Sequence, residues 1–241
     1  MAKKFEYISL VQDLFDKVNN EQAEEIMTLA KEMATNIRDN KIIHVFGTGH
    51  SHMIGIELFC RAGGLANVNA ILDQDTLTSN GARRSGALEK LSGLADIMYD
   101  QHNIQPGDMM IITSNSGRNA VPIEMAMRAQ KEGIYTVALT NYEQSKKTTS
   151  RHHSGKKLYE FADLILDNCV PEGDAMEEVG GVLTAPASSL SSMLILNTAV
   201  NEALKILAAD GVELPIFQSQ NVDGFDNDAL YAKYEDRVKH F

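Results

Sequence analysis

Two short segments hold the residue types best suited to chemistry. Gly47-Thr48-Gly49-His50-Ser51-His52 follows the β-rich run KIIHVF, and Ser114-Asn115-Ser116-Gly117-Arg118-Asn119 follows MMIIT. Each offers small residues that allow close backbone approach and hydroxyls that donate to an oxyanion. Behind each lies a helical pattern whose first N–H groups lack intrahelical acceptors. That set suits a phosphate or a similar anion without any lysine. A dinucleotide fingerprint would need glycine where His52 stands, and a phosphate loop of the Walker type would need Gly-Lys, which is absent. One such loop alone reads equally well as a serine-capped helix start. Two of them behind parallel strands point to an anion site.

Proton-moving side chains are placed around these loops. Glu57 follows His50 by seven residues and returns to the same helical face. Its neighbours Met53, Ile54, Ile56, Leu58 and Phe59 are apolar, which predicts a buried carboxylate facing the site. The alternative is a structural ion pair with Arg61, four residues on. His50 and His52 flank Ser51 and can act as acid or base near neutral pH. Two residues apart they share no helix face, so no metal site is expected there. Glu89 opens a helical pattern over 86–100, as a proton-transfer candidate or as an ordinary first-turn carboxylate. Glu172 and Asp174 are candidates for accepting sugar hydroxyls. His152-His153 lies in a polar stretch that reads either as a cap over a neighbour's sugar or as a solvated loop. No cofactor is implied.

The elements that would position these residues alternate in period. Residues 5–39 show apolar positions three and four apart (Tyr7, Leu10, Leu14, Val18, then Ile26, Leu29, Met33, Ile37), with Asn19-Asn20 as the expected break. Then come strand, glycine turn and a helix closed by Gly63-Gly64, followed by the strand NVNAIL. The same grammar repeats through GDMMIITSNSGRN, IYTVALTN and ADLILDN, and a long helix runs from about Ala187 to Ala209. Five short strands separated by helices predict an α/β fold, a parallel sheet covered on both faces. Ligands then bind beyond the carboxyl ends of the strands. Residues 1–241 read as one domain, with 1–40 a helical N-terminal extension and 211–241 an irregular C-terminal one.

Composition limits the partners. The 241 residues are 44% hydrophobic and 23% charged, which suits neither a disordered nor a membrane-embedded chain. Twenty-two Lys and Arg against 33 Asp and Glu give a net charge of −11, so no nucleic acid or anionic membrane is expected as partner. Residues 1–20 lack a signal-peptide core, and Pro186, Asn197, Asn201 and Glu202 interrupt the most apolar stretch. Cys60 and Cys169 form no CxxC and read as reduced thiols of a cytoplasmic protein.

GTGHS after the first strand, TSNSGRN after the third and TAPASSLSSM opening the last helix resemble the sugar isomerase (SIS) phosphosugar-binding domain, over roughly residues 5–210. Phosphoheptose isomerases belong to that family and also carry a helical N-terminus. The segments SRHxSGKKLYE and DNxxPxGDA resemble an uncharacterised SIS subgroup. The resemblance implies a three-layer αβα, flavodoxin-like five-stranded parallel sheet. It implies phosphate held by Ser114, Asn115, Ser116, Gly117 and Asn119, with Gly49 and Ser51 from the first loop and Ser188 or Ser189 from the last helix. Asn119 stands where many members carry serine or threonine. The family's frequent catalytic glutamate falls ten residues after the first-loop serine, and here that residue is Arg61.

The expected function is therefore phosphosugar binding, with isomerisation of the phosphoheptose isomerase kind. The alternatives are a non-catalytic sensor or regulatory module, or a sugar-phosphate etherase or lyase. Arg61 favours the module; Glu57 and the histidines favour the enzyme. A homodimer or homotetramer built on helices 5–39 is expected, because they offer more apolar face than one sheet covers.

Overall fold

The computed structural model describes residues 5–241. Helices α1 (Glu6–Glu21) and α2 (Ala23–Arg38) come first. The break falls at Gln22, not at Asn19-Asn20, because the Gln22 side chain leaves the helix surface to accept the backbone N–H of Asp167 at 2.8 Å. Strands β1 (Ile43–Gly47), β2 (Val68–Ile71), β3 (Met109–Thr113), β4 (Tyr135–Thr140) and β5 (Leu164–Asp167) form one parallel sheet in the order β2-β1-β3-β4-β5. This is the flavodoxin-like order expected from the repeated strand–turn–helix pattern.

Strand side chains alternate between two apolar layers. Ile43, Val45, Ile111, Val137 and Leu139 pack beneath α1, α2 and the long helix α8 (Ser188–Ala209). Phe46, Met110, Ile112 and Ala138 meet α5 (Leu94–Tyr99) and α6 (Ala120–Lys131) on the other face. By length and composition α8 is apolar enough to cross a membrane. In the fold it is the central helix of its layer, with Ile195, Leu196, Ala199, Ala203 and Leu207 buried against α2 and the sheet. The apolar face of α2 is therefore already covered. Exposed apolar side chains remain at the start of α1, where Phe5, Tyr7 and Ile8 face outward.

Three other elements differ from expectation. Helix α3 (His52–Leu58) ends well before Gly63-Gly64. Phe59 turns extended and packs on Phe241, ring centroids 5.7 Å apart, which pulls the chain off the helix. The 86–100 segment is two helices, α4 (Ala82–Leu88) and α5, because Gly93 adopts φ +87° ahead of α5. Glu89 accordingly caps the end of α4 instead of opening a helix. Between β5 and α8, a short exposed hairpin of β6 (Glu177–Val179) and β7 (Val182–Thr184) was not legible in the sequence. The helix α7 (Tyr142–Lys147) follows β4.

Residues 211–241 are more ordered than their polar composition suggests. Helix α9 (Asp228–Tyr234) and the flanking Phe217 and Val238 bury Ile42 and Ala66 at the amino edge of the sheet. A buried polar chain anchors them. Asp108 accepts from His44 Nε2 at 3.0 Å and from Arg237 Nη2 at 2.7 Å. Asn69 Nδ2 lies 2.9 Å from His44 Nδ1 and 3.0 Å from His102 Nδ1, and Asn69 Oδ1 accepts the Lys239 N–H at 3.1 Å. One amide NH₂ serving two imidazoles requires both Nδ1 atoms to be acceptors, so His44 is neutral and carries its proton on Nε2. Burial lowers both pKa values, that of His102 to about 3 with Lys239 as the next cause.

A histidine kept neutral in the fold but free to protonate when unfolded stabilises above its ordinary pKa. Its contribution drains away as pH falls from about 6.5 toward 3. The unfolding free energy should therefore drop across that window. His102→Gln, which retains an acceptor for Asn69, should show a shallower drop in denaturant titrations. Parallel pH curves for the two proteins would contradict this account.

Candidate functional site

The strand order places the topological switch point between β1 and β3, and the register puts Gly47 directly beside Thr113. The loops that follow these two strands are therefore neighbours, as sequence spacing anticipated. Gly47 is required by this approach: a Cβ there would come within 2.6 Å of the Ser51 backbone. Gly117 has φ +56°, and a Cβ on it would meet Ser145 Oγ at 3.0 Å.

A cleft opens where the loops meet the start of α8. His50, Ser51, Thr113, Asn115, Ser188 and Ser189 line it, with Ile54, Asn168 and Ser192 completing the wall. Its free volume is about 20 Å³, little more than one water occupies. The Thr113 hydroxyl is buried there with no hydrogen-bond partner among the described residues. In the second loop Ser114 Oγ accepts the Gly117 N–H at 3.2 Å, closing the turn. The N–H groups of Asn115, Ser116, Arg118 and Asn119 find no acceptor among the described residues. Open backbone donors of this kind are what an anion can satisfy.

A cation stands behind this loop, although no lysine was expected to take part. Lys157 is buried, and its ammonium donates to the Ser145 carbonyl and to Thr148 Oγ1 at 3.1 Å. Burial, with the Arg118 charge close by, lowers its pKa. The GKKLYE segment carried this lysine in plain view, but nothing in its spacing showed that the chain would fold it inward.

The remaining sequence candidates separate into those that face the cleft and those that hold it. His50 is exposed on its rim and is the one ionisable side chain among the residues lining it. His52 is buried, with Nδ1 donating to the Gly49 carbonyl, and so fixes the first loop. Glu89 braces both loops: Oε2 accepts from Thr48 Oγ1 at 3.0 Å and Oε1 from Asn119 Nδ2 at 2.8 Å. Its carbonyl also accepts the Val121 N–H at the start of α6. Asn119 in turn accepts from Arg151 at 3.1 Å. Asp174 accepts the N–H groups of Ala187 and Ser188 at 2.9 and 2.7 Å and the Ser188 hydroxyl at 2.6 Å, capping α8 from outside the helix. Glu172 is exposed.

Glu57 lies elsewhere. It pairs with Arg61, accepts from Asn197 Nδ2 at 3.0 Å, and lines a separate cavity of about 200 Å³ with Arg61, Gly64 and Asn197. The expectation of a buried carboxylate facing the first loop is not what the fold shows. Helix α3 turns that side toward α8 and solvent, leaving the Glu57 side chain 23% and Arg61 50% exposed.

Residues 6–141 match the SIS domain family. This chain is a member of the SIS domain family. Within it, the UPF0309 protein of Caldanaerobacter subterraneus is 37% identical over 97% of this chain and 98% of its own length. The UPF0309 protein of Geobacillus kaustophilus is also 37% identical, over 97% of this chain and 94% of its own. Phosphoheptose isomerase from Francisella tularensis shares the fold with TM-score 0.54 at 16% identity, covering 83% of this SIS protein and 95% of that chain. The enzyme from Neisseria gonorrhoeae does so with TM-score 0.53 at 16% identity, covering 81% and 94%.

The bracing geometry has a measurable consequence in this SIS protein. Glu89→Ala leaves the buried Thr48 hydroxyl and Asn119 amide without acceptors and should cost ~1–3 kcal/mol in denaturant unfolding. Glu57→Gln removes only a partly solvated pair and should cost under ~1 kcal/mol. The reverse order would refute the assignment of Glu89 as the loop brace.

Proposed function

We propose that the cleft binds a sugar phosphate and that the chain interconverts aldose and ketose phosphates. The observation that carries the reading is the loop 114–119, with four open backbone donors beside the unpartnered Thr113 hydroxyl at the switch point. Ser116 and the backbone hold the phosphate, while Lys157 supplies positive potential from behind in a chain whose net charge is −11. The sugar extends past Ser51 and Ser189.

Isomerisation moves a proton between adjacent carbons. A base removes it beside the carbonyl, an enediol forms, and the proton returns to the neighbouring carbon. We assign that base to His50, the ionisable side chain on the rim of the cleft. Glu89, with both oxygens occupied, positions the loops, and His52 anchors the first loop at the Gly49 carbonyl.

A non-catalytic binding module is the second reading. Arg61 at the position of the family's glutamate and the hydrogen-bonded state of Glu89 favour it.

Ligand-induced melting shifts across a panel of aldose and ketose phosphates test binding. Ser116→Ala should weaken the best ligand by about 5- to 150-fold, the loss of one charge-assisted hydrogen bond. Proton NMR in D₂O then separates the two readings. An isomerase exchanges the carbon-bound hydrogen next to the carbonyl, and His50→Gln should slow that exchange ~10²–10⁴-fold while keeping affinity. Tight binding without exchange would establish the module. No shift with any sugar phosphate would remove both. A homodimer or homotetramer closed through the exposed start of α1 belongs to the same reading, and light scattering showing a monomer at micromolar concentration would exclude it.

A further inference from the structure

Glu124, His152 and His153 present one carboxylate oxygen and two ring nitrogens, all within 4.8 Å of one another. They lie outside the cleft. Glu124 is in the second turn of α6, and the two histidines come from the segment after α7. We propose that these three side chains form a binding site for a divalent transition-metal ion of the zinc class.

The geometry is partly set already. His152 Nε2 stands 3.2 Å from Glu124 Oε1. Two ligands on one tetrahedral zinc ion, at bond lengths of 2.0–2.2 Å, lie about 3.3 Å apart. The imidazole of His152 is fully buried, and its Nδ1 sits 2.8 Å from Ser154 Oγ and 3.4 Å from the Ser154 backbone nitrogen, contacts that hold the ring with Nε2 toward Glu124. The other Glu124 oxygen accepts the Gly93 N–H at 2.7 Å, which fixes the carboxylate plane. His153 is exposed and lies against His152 with ring centroids 4.0 Å apart, so a rotation about its side-chain bonds completes the set.

The surroundings tolerate a cation. A cavity of about 350 Å³ opens beside the three ligands, bordered by Asp96, Arg128 and Lys131. The Arg128 guanidinium is already committed to Asp96, Asp100 and Glu132. Two histidines and one carboxylate leave a fourth position facing this cavity, where water or an anionic ligand can bind. Metal binding there would also reach the anion loop. Arg151, next to His152, donates its N–H to the Arg118 carbonyl at 2.8 Å and its side chain to Asn119 at 3.1 Å.

The test is titration of chelator-stripped full-length protein with Zn²⁺ by calorimetry, with Co²⁺ as an optical probe of tetrahedral coordination. One equivalent should bind per chain. His153→Ala should weaken binding at least ~10-fold, and so should Glu124→Gln. Because His153 is exposed, its replacement should leave the metal-free melting temperature unchanged, so loss of binding there is not loss of fold. His50→Ala should bind Zn²⁺ as the parent does. The proposal is overturned by absence of Zn²⁺ binding or by undiminished binding in His153→Ala. Binding that disappears only with His50→Ala would place the metal at the first loop and overturn it equally.

Discussion

The cleft depends on a constraint set by chain topology. After β1 the chain runs outward to β2, then returns to lay β3 on the other side of β1. The right-handed crossovers of a parallel sheet carry the two connections away in opposite directions, leaving a gap above the carboxyl ends of β1 and β3. The parallel register that pairs Ile43 with Met109 and Gly47 with Thr113 brings both strands to the same height. Two loops of small polar residues thus meet without needing any long-range contact of their own. Burial on both faces of β1 and β3 stabilises that register, because a one-residue slip would exchange the layers to which Val45 and Phe46 belong.

At the opposite edge of the sheet a different kind of interaction operates. Asp108 is buried, which would raise its pKa, yet hydrogen bonds from His44 and from the Gln105 and Ile42 backbone keep it low. A charged carboxylate can stay there only while its donors are present. Arg237 and the Lys239 backbone, from the last residues of the chain, complete the set. The C-terminal segment is thereby tied to the strands' beginnings, and the carboxyl edge is left open for the cleft.

Most of the architecture was legible because the sequence patterns that specify it are local. Hydrophobic period marked α1, α2, α6 and α8, and the apolar runs marked all five sheet strands. What escaped depended on distant partners. Helix α3 stops at Leu58 because Phe59 packs on Phe241, a contact 182 positions away in the chain. The break between α4 and α5 turns on Gly93, whose N–H is taken by Glu124. The site divides likewise. Loop composition picked out His50, Ser51, Asn115, Ser188 and Ser189, which line the cleft, but not the Thr113 hydroxyl buried beside them. It did not separate residues that face the cleft from those that brace it. Glu89 and His52 carry the same groups as catalytic residues would, and only their hydrogen-bond partners reveal that they hold loops.

The start of α8 shows how bracing and binding can share one set of atoms. A helix of 22 residues presents open N–H groups and a positive dipole end, which would attract an anion on their own. Asp174 already satisfies two of those N–H groups and also takes the Ser188 hydroxyl. A negative charge therefore sits where the helix would otherwise offer a second phosphate position. At the 114–119 loop the four backbone N–H groups stay open, because the Glu89 carboxylate takes the Asn119 side chain instead, and the Lys157 ammonium donates to the Ser145 carbonyl behind the loop. On the proposed reading, the open N–H groups beside β3 would take the anionic end of a ligand, and the α8 end, where Asp174 already holds the helix N–H groups, would take neutral hydroxyls. The two ends of the cleft are built from the same serine-rich material, but only at the α8 end are the backbone donors already taken by a carboxylate.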